Sequence, residues 1–199
     1  MKNRRAGLLV VVVVFFNGAA WIYGDQIGNR LIPYYSFVFS ELSENYQLQN
    51  MRLEQQSGEK VYKVYVTTTN MLKERNVPPG VELSSSTLIA HSLQMMIIFF
   101  SVLSIWPIET IYQRCVLLIF SLPFLAVLLA IDVPLVLLGS LEDLILYHYS
   151  LSENSPKVLW MSVMDSGGRL ALAIFVPIAL IGVSQIINSS KNPDAKVSV

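Results

Sequence analysis

Residues Val116–Leu138 read VLLIFSLPFLAVLLAIDVPLVLL, an apolar run interrupted by Ser121, Asp132 and the prolines Pro123 and Pro134. A helix needs about 20 such residues to cross the hydrocarbon core of a bilayer. Three other stretches are of the same kind: Gly7–Tyr23, Leu88–Trp106 and Leu170–Ile187. The chain has 199 residues, 53% of them hydrophobic and 14% charged. Soluble domains carry about 25% charged residues. A chain this short cannot bury so much apolar surface within itself, so lipid has to cover it. The fold expected is a mainly α membrane protein with four transmembrane helices. A small α+β extracytoplasmic insertion lies between the first and second.

The formal net charge is zero, which leaves no basic excess for nucleic acid. A single cysteine, Cys115, excludes an intrachain disulfide, and with two histidines a structural zinc site is not expected. The start of the chain, a basic Met1–Arg5 followed by an apolar run, has the outline of a cleavable signal. Trp21, Ile22 and Tyr23 instead suit an aromatic anchor at the far interface, which favours an uncleaved signal-anchor.

Basic residues set the orientation. Lys2, Arg4 and Arg5 precede the first span, Arg114 lies between the second and third, and Lys191 and Lys196 follow the fourth. By the positive-inside rule these segments are cytoplasmic, as are both termini. Glu142, Asp143, Glu153 and Asp165 against Lys157 alone suit the outer side. The expected organisation is a cytoplasmic N-terminus and first helix over 1–24, an extracytoplasmic helix plus β-hairpin over 25–86, a three-helix region over 87–188 with an outer interfacial loop at 140–168, and a cytoplasmic tail over 189–199.

Within the outer segment, Leu31, Tyr34, Tyr35, Val38, Phe39 and Leu42 recur near helical spacing and predict an amphipathic helix over Asn29–Tyr46. Pro33 fits only near its first turn. Tyr46–Gln55 and Lys60–Thr69 read as two strands joined by Gln56-Ser57-Gly58-Glu59. A lone hairpin is marginal in water, so it needs the helix, a third strand, the membrane or a partner. Asn76-Val77-Pro78-Pro79-Gly80 signals a turn, and Ser84–Thr87 offers N-caps for the second span. The third span is expected to kink and end near Gly139. An interfacial segment, Leu141–Tyr149, follows, with leucines toward lipid and Glu142 and Asp143 toward water. Ser155-Pro156 should start a short helix over Lys157–Met164, which runs into Gly167 and Gly168, a place for a kink or a close helix contact.

Three ionisable residues sit within or at the edge of the apolar stretches: His91, Asp132 and Arg169. Asp132 is about 25 Å along a helix from Cys115, so all three reach the outer leaflet. A charge facing lipid is unfavourable, so Asp132 should face the bundle interior. Arg169 is its natural partner, since a guanidinium can bridge a carboxylate through two donors. The cluster can serve as a structural pair, bind a polar group of a partner or lipid, or take part in catalysis or ion movement. Cys115 lies at the opposite edge from His91, so no thiol nucleophile with a base is expected. No phosphate loop, nucleophile elbow or zinc-protease helix is present, and no catalytic residue, metal site or cofactor is assigned.

The stretch Trp160–Ala173, WMSVMDSGGRLALA, heads the last span. Together with a first span, a strand-containing outer loop and three later spans, it resembles the small membrane proteins associated with bacterial exosortases. The resemblance implies an accessory of a protein-sorting transpeptidase, in the inner membrane of Gram-negative bacteria. The expected function is thus a non-enzymatic, multi-pass accessory protein whose partners are the lipid bilayer and another membrane protein, docked through the extracytoplasmic segment. The alternative is an intramembrane enzyme, small transporter or channel subunit using the polar cluster.

Overall fold

The structure is a computed structural model and describes residues 2–69, 78–106, 111–148 and 155–191. The elements run α1 (Lys2–Leu42), β1 (Tyr46–Gln56), β2 (Glu59–Thr68), β3 (Glu82–Leu88), α2 (Ile89–Ile105), α3 (Ile111–His148), α4 (Pro156–Val163), a π-helical turn (Met164–Gly168) and α5 (Arg169–Lys191). It is mainly helical with a small antiparallel sheet. Three helices are long and apolar enough to cross a membrane: Val10–Leu42, Tyr112–His148 and Pro156–Ile186. The fourth apolar helix, Ile89–Ile105, has 17 residues and is shorter than the other three.

The first span and the amphipathic helix predicted after it are one continuous helix, contrary to the expected break near Gly24. At 41 residues α1 is about 60 Å long, twice the hydrocarbon thickness. Gly24 and Gly28 do not break it, because they are used for close approach. A Cβ on Gly24 would stand 3.0 Å from a Leu93 methyl, and one on Gly28 would stand 2.3 Å from the Ile89 Cδ1. Pro33 lies inside the helix rather than in a first turn and costs one backbone bond there. Beyond it, Tyr35 and Phe39 are fully buried and carry the expected face onto the sheet.

The hairpin forms as read, one residue longer at its turn, with Gln56 opposite Glu59. Ser57 (φ 53°) and Gly58 (φ 88°) both take left-handed conformations, as a two-residue hairpin loop with the twist of the strands requires. The third strand that the hairpin needs is Glu82–Leu88, so the order is β1-β2-β3. Ser84–Thr87, expected to cap α2, instead pairs with Tyr62–Tyr65, and α2 starts at Ile89 with Leu88 in the N-cap position and no side-chain cap. The unfilled edge of β2 supplies the reason: a strand partner satisfies a whole row of backbone groups, whereas a cap satisfies one or two. The turn expected over Asn76–Gly80 falls partly on 76–77, outside the described residues; Pro79 and Gly80 do form a turn.

Alternation sorts β2 into two faces. Tyr62, Val64 and Val66 are buried with Met51, and Tyr62 meets Tyr35 edge-on at 5.1 Å between ring centroids. On the outer face the Glu54 carboxylate accepts from Tyr65 at 2.7 Å and from Arg52 at 2.6 Å, with Lys63 at 3.4 Å. The Tyr65 hydroxyl first, and then Arg52, hold Glu54 at about 2, well below its usual 4.5. A depressed carboxylate pKa stabilises the fold fully above the unfolded value and loses that effect as pH falls through the folded one. The sheet should therefore weaken between pH 4.5 and 2, and Glu54→Gln should flatten that part of the profile. Hydrogen exchange of the β1–β2 amides would read this; an unchanged profile in the variant would contradict it.

The helix α3 does not end near Gly139. It continues to His148 as a 38-residue helix. Gly139 is the seat of α4, since a Cβ there would stand 2.4 Å from the Lys157 carbonyl oxygen. Contact with α4 also changes part of the expected facing of the segment that follows, although Asp143 is exposed as expected. Leu141 and Ile145 are buried against protein, while Leu144 and Tyr147 are exposed. Glu142 is buried too: it accepts from the Ser155 hydroxyl and pairs with Lys157 at 3.0 Å. The short helix begins as expected, with Ser155 as cap accepting from the Lys157 amide and Pro156 in the first turn. Residues 149–154 of the outer loop and 192–199 of the tail lie outside the described residues, and Arg114 belongs to the first turn of α3 rather than to a loop.

Candidate functional site: a buried polar cluster between bundle and sheet

A salt bridge forms the centre of the cluster. Arg169 Nε donates to Asp132 Oδ1 at 2.7 Å, joining α5 to α3. Asp132 is fully buried and Arg169 nearly so. The expected two-donor bridge to one carboxylate does not form. Arg169 divides its donors, and Nη1 reaches Asp165 Oδ1 at 2.6 Å. The double glycine makes this possible. Gly167 sits at φ 110°, a region open to glycine, and the π turn around it returns Asp165 over the start of α5. Gly168 lies against the Val163 carbonyl, where a Cβ would stand 2.7 Å from oxygen, so the glycines provide both a kink and a close contact.

His91 comes from α2 and lies within electrostatic range of Arg169 and Asp132, but it hydrogen-bonds to neither. Its Nδ1 is buried without a hydrogen-bond partner. So are the second Asp132 oxygen and Arg169 Nη2. The tyrosine pair extends the cluster toward the sheet. The hydroxyls of Tyr35 and Tyr62 both lie near the Ser92 side chain, and Tyr35 also senses Asp132. Neither hydroxyl completes a hydrogen bond, and burial pushes Tyr62 up to about 12. Neighbouring bonds fix the frame. Trp160 Nε1 donates to the Ile131 carbonyl at 2.7 Å, one residue before Asp132, and the Tyr34 hydroxyl donates to the Ala126 carbonyl at 2.7 Å.

No family model, curated protein or solved structure matches the chain. The fixed charges of the cluster are two carboxylates and one guanidinium. Among the described residues no three His, Cys, Asp or Glu side chains gather as a metal-binding group. Cys115 is exposed at the start of α3, 17 positions before Asp132 and hence about 25 Å from the cluster along that helix.

Sequence reasoning missed Asp165, Tyr35, Tyr62 and Ser92 as members of the cluster. Asp165 carried a signal, since it stands four residues before Arg169. The tyrosines carried none: each belongs to an element whose docking only the fold decides. The unpartnered hydroxyl of Tyr62 gives a direct test. Removing a buried polar group that bonds nothing relieves a desolvation penalty. Tyr62→Phe should therefore leave stability unchanged or raise it by up to about 1 kcal/mol. A loss above that in thermal unfolding would show that the hydroxyl has a partner.

Proposed function

We propose that this protein is a non-enzymatic, four-span accessory protein of the bacterial inner membrane, with both termini cytoplasmic, that docks a partner membrane protein through its extracytoplasmic sheet. The observation that carries this reading is the outer face of the sheet. There Glu54 organises Arg52, Lys63 and Tyr65 into a fixed, solvent-facing charged patch. Its support is rigid. The sheet rests on α1 through Tyr35, Phe39 and Tyr62, and an ion pair between Lys60 and Asp25 ties the hairpin to the same helix. Electrostatic patches of this kind give register and encounter rate more than raw affinity, which suits partner selection. The Arg169 guanidinium, held by two carboxylates, serves as a joint between α3, α5 and the π turn. The resemblance to exosortase-associated proteins makes a protein-sorting transpeptidase the partner class to try first.

Gentle detergent extraction followed by affinity purification tests the proposal. A defined partner should co-purify with the wild-type chain and fall at least tenfold with Arg52→Glu plus Lys63→Glu at equal abundance. A chain that elutes alone under all conditions argues against it.

A second reading, an intramembrane enzyme, transporter or channel subunit, is favoured by the three unpartnered atoms of Asp132, Arg169 and His91. His91→Ala separates the two: a cellular defect at normal abundance and with normal partner binding favours chemistry at the cluster. No defect in either favours the joint.

A further inference from the structure

Strand β1 is an edge of the three-stranded sheet and pairs only with β2. At 11 residues it is about twice as long as a usual strand. The Thr68 backbone bonds to Gly80 and Val81 on the β3 side, while the Thr69 amide bonds to the Asn45 carbonyl on the β1 side. Alternation along β2 then points the backbone groups of Lys60, Tyr62 and Val64 away from β1. Their partners on β1 are Gln55, Leu53 and Met51. The amides and carbonyls of these residues turn outward from the sheet, and none is bonded among the described residues. A bulge between Leu48 and Asn50 limits the regular edge to Asn50–Gln56, which holds neither lysine nor proline to blunt it. The same edge carries a charge imbalance. Arg52 stands directly opposite Lys63, and like charges so placed are unfavourable. One carboxylate, Glu54, serves both, at 2.6 Å and 3.4 Å. Arg52 keeps an open side all the same, with 57% of its side chain exposed.

We propose that an extended segment of a partner polypeptide adds to this sheet as a fourth strand along Asn50–Gln56, with a carboxylate side chain opposite Arg52 and apolar side chains opposite Met51 and Leu53. The inference rests on the docking reading above and names its mode and the chemistry of the partner. The row of unmet amides and carbonyls specifies an extended chain, because a strand meets such donors and acceptors in turn. The carboxylate follows from two cations that share one acid. The apolar residues follow from the alternation of the strand, which turns Met51 and Leu53 to the inner face with Tyr62 and Val64. A second copy of β1 does not supply the missing charge. Its Glu54 already serves its own Arg52, Lys63 and Tyr65, and it brings the same excess of cation. A lipid head group offers an anion but no row of amides.

The test joins photo-crosslinking of the full chain in native membranes to hydrogen exchange of the purified complex. A crosslinker at Asn50, exposed at the end of the regular edge, should give adducts on a peptide of another polypeptide in which Asp or Glu alternates with apolar residues. Gln55→Pro removes an outward amide at an edge position, where proline is tolerated, and should lower those adducts about tenfold. Arg52→Gln should lower them severalfold. In the complex that co-purifies with the wild-type chain, the Leu53 and Gln55 amides should exchange about tenfold more slowly than in the chain alone, a readout that holds even where Gln55→Pro reduces abundance. Adducts on this chain's own peptides, adducts on a peptide without an acidic residue, or Leu53 and Gln55 amides that exchange equally fast in both states would overturn strand addition. In the last case, a co-purifying partner that still falls away with Arg52→Glu plus Lys63→Glu leaves the docking reading standing. If no partner co-purifies and no adduct forms, both readings fail.

Discussion

Asp132→Ala loses about 3–5 kcal/mol of stability, enough to deplete the protein from the membrane. The substitution leaves Arg169 buried with one of its two carboxylates gone, and Asp165 is half exposed and cannot replace the buried partner. Arg169→Ala has an effect of similar size for the opposite reason, since it strands the fully buried Asp132 carboxylate. The double change Asp132→Leu plus Arg169→Met should recover most of the loss, because a well-packed apolar pair removes both desolvation penalties. The cycle is read by thermal unfolding in detergent together with abundance in membranes. Single variants as stable as wild type would mean that the bridge contributes nothing.

Gly139→Ala should cost about 1–3 kcal/mol, despite alanine's advantage over glycine inside a helix. The added Cβ would meet the Lys157 carbonyl at 2.4 Å and the Met161 Cβ at 2.9 Å, and the backbone of α4 cannot yield without lifting off α3. That movement would break the Trp160 bond to Ile131 and loosen the Glu142 pair with Lys157. Gly18→Ala is the control. Its Cβ would meet nothing within 4 Å, so the intrinsic gain of up to about 1 kcal/mol should appear. Thermal unfolding of the two variants should move in opposite directions. Equal shifts would show that α4 does not seat on Gly139.

In the proposed assembly the charged outer face of the sheet would select a partner outside the membrane. The buried cluster lies beneath that sheet, where α1, α2, α3 and α5 meet β2. A change there would disturb the seat of the docking surface. Loss of partner binding in an Asp132 variant is therefore informative only alongside its abundance.

The apolar runs, the hairpin with its Ser57-Gly58 turn, the Ser155-Pro156 helix start and the meeting of Asp132 with Arg169 were all legible in the sequence. Each is set by local spacing, by a residue with one preferred backbone conformation, or by the unfavourable free energy of an unpaired charge in lipid. The continuity of α1 and α3, the pairing of Ser84–Thr87 as a strand and the burial of Glu142 were decided only by tertiary contact. Glycine and serine are the reason. Alone, Gly24, Gly28 and Gly139 resemble breaks and Ser84–Ser86 resemble caps, because their local preferences are weak. A neighbouring helix that needs close approach, or an open strand edge that needs a partner, contributes more than those preferences and determines which role they take.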